Sequence, residues 1–117
     1  MDELKIDVSA SASGVRVLRL HGPLTLSTLF DFQKLARENT VAPIVLDLTD
    51  VPYMDSAGLG ALLGLLASCQ RGGRGFGIVG AAERLQTLFR VTHVDGMIPT
   101  FPSVEQAEQR LSKSAGA

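Results

Sequence analysis

The chain has 117 residues, enough for one domain with a real core and too few for a second. Hydrophobic residues make up 45% and charged residues 20%, a balance that excludes a disordered polar chain. A formal net charge of −1, with no basic cluster longer than the Arg71-Gly72-Gly73-Arg74 turn, argues against nucleic acid or acidic lipid as the main partner.

Leu4 to Val8 alternates apolar and polar residues and reads as a half-buried edge strand. Ser9 to Gly14 is a small polar turn, and Val15 to Leu20 is a second strand, so the two form an antiparallel hairpin that Gly22-Pro23 ends. Thr25 or Ser27 is expected to cap a first helix running to about Asn39. Its inner face carries Leu29, Phe32, Leu35 and Ala36, while Phe30 falls among the outward residues Asp31, Lys34, Arg37 and Glu38. Ile44 to Leu48 is the most apolar strand and should be central.

A helix follows from Ser56, with Leu59, Leu62, Leu63 and Leu66 on one face, Asp55 as N-cap and Gly72-Gly73 as its stop. Phe76 to Val79 is a fourth strand, and Ala82 to Val91 a helix with Leu85, Leu88 and Phe89 inward. Met97 to Phe101 is a weak strand that Pro99 assigns to a sheet edge. Ser103 and Gln106 form a capping-box pair for a last helix packed through Val104, Ala107 and Leu111. The fold class is α/β: one small domain over residues 1–111, a mainly parallel sheet of four to five strands, an N-terminal antiparallel hairpin and about four helices, followed by a flexible tail at 112–117.

The acidic start, Met1-Asp2-Glu3, lacks the basic region of a secretory leader. The longest apolar stretch, Ala57 to Cys69, falls short of the roughly 18 residues of a membrane span and is interrupted by Gly58, Gly60, Gly64 and Ser68. One cysteine, Cys69, excludes an internal disulfide and fits a reducing compartment. A cytoplasmic protein without direct membrane insertion is expected. Neither HExxH nor a clustered Cys/His pattern occurs, so no metal and no cofactor are expected.

Three chemistries compete for the strand-to-helix turn at Met54-Asp55-Ser56-Ala57-Gly58. A small serine hydrolase would use Ser56, but the nucleophile elbow needs glycine where Met54 stands, and the candidate bases are only His21 and His93, the latter next but one to Asp95. Gly75-Phe76-Gly77-Ile78-Val79-Gly80 matches G-x-G-x-x-G, yet its middle is itself a strand, whereas the fingerprint must follow a strand and open a helix. The third reading is a docking surface switched by phosphorylation of Ser56. On a helical wheel Ser56, Gly60 and Gly64 form a flank almost without side chains, which either admits a partner's backbone or lets the helix pack tightly within the fold.

The run from Ile44 through Leu66, with Ile-Val-Leu-Asp-Leu and then Met-Asp-Ser-Ala-Gly-Leu-Gly-Ala-Leu-Leu, resembles the STAS-domain anti-sigma-factor antagonists of bacteria. The likeness extends to Gly22-x-Leu24, to Leu85-x-x-Leu88-Phe89 and to the closing helix, with Asp55-Ser56-x-Gly58-Leu59 as its most specific element. The resemblance implies a non-catalytic protein that binds an anti-sigma factor which is also a serine kinase. It implies phosphorylation at Ser56, which breaks binding, and a cognate phosphatase that restores it. The partner-binding residues expected are Asp55, Ser56, Ala57, Gly58, Gly60 and Gly64, with Thr25, Ser27 and Phe30 beside them. Ala57 replaces a second serine common in the family, and Thr25 replaces a common acidic residue. A second role within the same resemblance is an accessory subunit of a membrane transport ATPase, including lipid transporters.

Overall fold

The computed structural model describes residues 3–38 and 41–116, with side chains through Ser112. Its elements follow in the order β1 (Lys5–Ala10), β2 (Arg16–His21), α1 (Leu29–Arg37), β3 (Ile44–Asp50), α2 (Ser56–Gly72), β4 (Phe76–Val79), α3 (Glu83–Val91), β5 (Thr100–Phe101) and α4 (Val104–Gly116). The five strands lie in sequence order, β1 antiparallel to β2 and every later pair parallel. β3 is the central strand, as its apolar run requires.

Alternation along the strands builds two cores. Leu18, Leu20, Ile44, Leu46, Leu48 and Ile78 meet Phe32 of α1, Leu62 of α2 and Leu85 of α3 on one face. Val15, Val17, Val45 and Val79 meet Ala107 and Leu111 of α4 on the other. Each crossover steps to the next strand in the same direction, so right-handed connections put α1, α2 and α3 on a single side. That leaves the opposite face to α4, whose start is fixed by the Ser103 hydroxyl accepting the Gln106 N–H at 3.1 Å.

Three local expectations need correction. The first helix begins at Leu29, and neither Thr25 nor Ser27 caps it. Their hydroxyls bond each other at 3.0 Å, while the Thr28 hydroxyl accepts the Thr25 N–H and donates to the Pro23 carbonyl, folding the loop back on itself. Asn39, the expected helix end, lies outside the described residues. β5 is two residues rather than five, because Pro99 and Pro102 bracket it and bring no N–H to the ladder; Pro99 contributes only its carbonyl, which accepts the Ile78 N–H. The last helix carries on through Gly116, past the Leu111 boundary of the expected domain.

The glycines of the G-x-G-x-x-G match serve packing. A Cβ on Gly77 would stand 2.3 Å from the ring of Phe101, and Gly80 has φ of +76° where the chain leaves β4.

His21 ties three strands together: Nδ1 lies 2.9 Å from Asp50 and Nε2 3.0 Å from Asp7. Both nitrogens donate only in the imidazolium, so the Asp50 bond, followed by the Asp7 bond and charge, raises the pKa above the usual 6.5. A raised pKa adds stability that is complete below pH 6.5 and lost as pH climbs through the folded-state value. Asp50→Asn is therefore expected to lower the His21 pKa in an NMR titration and to flatten the fall in stability on the alkaline side. An unchanged titration midpoint would contradict this bridge.

Candidate functional site

The loops that leave β2 and β3 run side by side at the C-terminal ends of adjacent parallel strands. Leu24 and Met54 form a lone parallel bridge, with Leu24 N–H donating to the Tyr53 carbonyl at 3.2 Å and Asp55 N–H to the Leu24 carbonyl at 3.3 Å. The Asp55 carboxylate then joins the two segments. One oxygen accepts the Gly58 N–H at 2.8 Å, the N-cap bond of α2, and the other accepts the Leu26 N–H at 3.1 Å. Those bonds, Gly58 first and Leu26 second, hold the Asp55 pKa below its usual 3.8. The clamp's contribution is present above that value and is lost as pH falls through the lowered one.

Ser56 is the first residue of α2 and is exposed, and its hydroxyl has no hydrogen-bond partner among the described residues. Ala57 beside it is half-buried. Gly58 is different in kind from the glycines that follow. It is buried, and a Cβ there would sit 2.0 Å from the Leu24 carbonyl oxygen, so it lets two backbones meet inside the fold. The expectation that Gly58 admits a partner is corrected accordingly.

Gly60 and Gly64 are exposed, and a Cβ on either would meet nothing within 4 Å. The reading in which they let α2 pack tightly against its neighbour is thereby removed. Because each is an exposed helical glycine in open space, Gly64→Ala is expected to raise stability by about 0.5–1 kcal/mol. Urea denaturation checks this, and a loss of stability would show that something covers the position.

Phe30 is 67% exposed, as its place on the wheel requires. Leu26, 63% exposed and hydrogen-bonded through its N–H to Asp55, is a surface residue the sequence reading missed. Alternation in Leu24-Thr25-Leu26-Ser27 is no guide to it: a strand would put Leu24 and Leu26 on one face, whereas here Leu24 turns wholly inward and Leu26 outward. Thr25 is half-buried and Ser27 exposed in the same loop.

Between α1 and α2 lies an open groove of about 460 Å³. Ala57, Gly60, Ala61 and Gly64 form its α2 wall, Phe32 and Ala36 its α1 wall. It begins beside Ser56 and ends at Arg37, Arg71 and Arg74.

Among the described residues no hydrolase arrangement is assembled around Ser56. His21 is held by Asp7 and Asp50, while His93 is exposed in the turn after α3. Ser56 has ordinary helical backbone; among the described residues other than glycine, only His93 has positive φ. A strained nucleophile elbow is therefore absent here.

The sequence pattern of the STAS domain matches residues 8–107. The chain belongs to the STAS-domain family. This STAS domain is similar to the anti-sigma-B factor antagonist of Staphylococcus aureus, 28% identical over 78 residues that make up 64% of this chain and 72% of that one. Among solved structures it is similar to an anti-sigma factor antagonist from Mycobacterium paratuberculosis, with TM-score 0.76 and 22% identity over 92% of this chain and 93% of the other. It is also similar to a sulfate transporter family protein from Wolinella succinogenes, with TM-score 0.70 and 17% identity over 93% of each chain. At these identities the two structures speak for the fold alone.

Proposed function

We propose that this STAS domain is a non-catalytic anti-sigma-factor antagonist. It binds an anti-sigma factor that is also a serine kinase, through the mouth and bare flank of α2 together with the Thr25–Phe30 segment. Phosphorylation of Ser56 by that partner ends binding, and a cognate phosphatase restores it. The observation that carries this reading is an exposed serine hydroxyl without hydrogen-bond partners among the described residues, set beside a helix flank left bare at Gly60 and Gly64. Kinship with the Staphylococcus aureus antagonist supports the choice of partner.

Phosphate suits the switch because the position tolerates it in the free protein and not in the complex. First-turn amides and the helix dipole favour an anion at the N-terminus. A docked surface meets instead a bulky group of about −1.5 to −2 charges next to the Asp55 carboxylate. The partner is expected to transfer phosphate from ATP to the chain, seen as a mass increase on the intact protein that Ser56→Ala abolishes. An unchanged mass, or transfer that survives Ser56→Ala, would overturn the assignment.

An accessory role on a transport ATPase is the second reading; the sulfate transporter family protein from Wolinella succinogenes shares the fold, which leaves a transport-linked role open to this domain. It predicts co-purification with a transporter ATPase rather than a histidine-kinase-like ATPase domain, and docking indifferent to Ser56.

A further inference from the structure

The far end of the α1–α2 groove gathers positive charge with no acidic side chain beside it among the described lining residues. Arg37 comes from the last turn of α1, Arg71 from the last turn of α2, and Arg74 from the segment just beyond. Arg74 is only 9% exposed. Its Nε donates to the Ala42 carbonyl and its Nη1 to the Ala36 carbonyl at 3.4 Å, while its Nη2 is buried and has no hydrogen-bond partner among the described residues. Among the described residues none that lines the groove is acidic, and none of the three arginines forms an ion pair. Glu38, next in sequence to Arg37, is engaged with Arg16 at 3.4 Å.

Part of this has a structural explanation. Arg16 donates to Leu35 O and Arg74 to Ala36 O, so both cap the C-terminal carbonyls of α1, where positive charge is favoured. With the Nε bond to Ala42 O, this accounts for two of Arg74's nitrogens. It leaves Nη2 open, and a buried donor without an acceptor is costly. The helix dipole also favours Arg37 and Arg71 in the last turns of α1 and α2, yet among the described residues neither has a carboxylate partner.

We propose that this end of the groove is a carboxylate-binding site that takes an Asp or Glu side chain of the docked protein partner. Arg37 and Arg71, both exposed, close on the carboxylate, and Arg74 is the fixed charge behind them. Guanidinium groups suit this ligand because their planar fork matches a carboxylate in two parallel bonds. That the carboxylate belongs to a protein rests on the function proposed above, and two features of the groove favour it. The charge is of one sign throughout, and the path from Ser56 to the arginines passes over Gly60 and Gly64, where a polypeptide can lie against bare helix. Fifteen helical steps separate Ser56 from Arg71, about 22 Å at 1.5 Å each. The partner is thus gripped at one end by the arginines and tested at the other by the serine.

The test uses the full chain, labelled with nitrogen-15, titrated with a blocked peptide Glu-Ala-Ala-Glu-Ala-Ala-Glu, its all-Gln counterpart, sodium succinate and sodium phosphate. The Glu peptide is expected to shift the Gly60 and Gly64 amides and the Arg71 and Arg74 Nε–H signals in a saturable way. The Gln peptide should do nothing, and Arg71→Ala and Arg37→Ala should each weaken binding at least tenfold. Equal shifts from the Gln peptide, or full affinity in both variants, would overturn the site. Succinate or phosphate binding as tightly as the Glu peptide would overturn its assignment to a protein partner. If the peptide titrates as described but Ser56→Asp leaves partner affinity unchanged, the carboxylate site stands and the serine switch falls; the reverse pattern removes the site and keeps the switch.

Discussion

Ser56→Asp is expected to weaken binding to the anti-sigma partner roughly a thousandfold and to leave the fold intact. The estimate rests on one like-charge contact near 4 Å, worth about 4 kcal/mol at an effective dielectric of 20. Tenfold in affinity takes about 1.4 kcal/mol, so a single such contact is sufficient and no rearrangement of the domain is needed. The free protein has no comparable objection. Ser56 is exposed at the first position of α2, where an acidic group faces the positive end of the helix dipole. Thermal unfolding should therefore change little. Ser56→Ala removes the acceptor without adding charge and should keep full affinity, yet no longer lose it on incubation with ATP and kinase. Calorimetric titration of the three proteins against the partner decides the matter. Wild-type affinity in Ser56→Asp would show that local repulsion is not what separates the bound and free states.

The second large effect is on stability. Gly58→Ala is expected to cost about 3 kcal/mol, the upper end of the usual range for overpacking. The new methyl would stand 2.0 Å from the Leu24 carbonyl oxygen and 2.7 Å from its carbon. Both are backbone atoms, so no side chain can rotate aside. The loop after β2 would have to lift, which strains the Leu24–Met54 bridge and the Asp55–Leu26 bond together. Against a total of about 5–15 kcal/mol, such a loss is large. Urea denaturation should show a lower midpoint with an unchanged slope. A change within about 0.5 kcal/mol, typical of ordinary surface positions, would mean that this close approach is not what Gly58 supplies. The same substitution six residues along, at Gly64, is expected to go the other way.

That contrast shows what a sequence reveals and what it withholds. The apolar run at Ile44, the leucine spacing from Leu59, the Asp55 cap and the Ser103 cap are local signals, and each element they announce is present. A helical wheel gives the angle at which Gly60 leaves the axis, but not what occupies the space it faces. Gly58 and Gly60 look alike on paper because the Leu24 carbonyl that distinguishes them is 34 residues away from Gly58 along the chain. The start of α1 escapes local signals for the same reason. Leu26 is drawn to Asp55, 29 residues on, and the hydroxyls that suggested caps are spent folding that loop. The arginine cluster was invisible too, since Arg74 reaches Ala36 across 38 residues.

Strand order and chain order coincide in this sheet. As the polypeptide leaves the ribosome, each new strand needs only the one made just before it, so every loop closes over a short interval and no early strand waits unpaired for a late one. The clamp, the serine and all three arginines lie between Gly22 and Arg74. A nascent chain therefore carries every group of the proposed binding face before β4 has been translated.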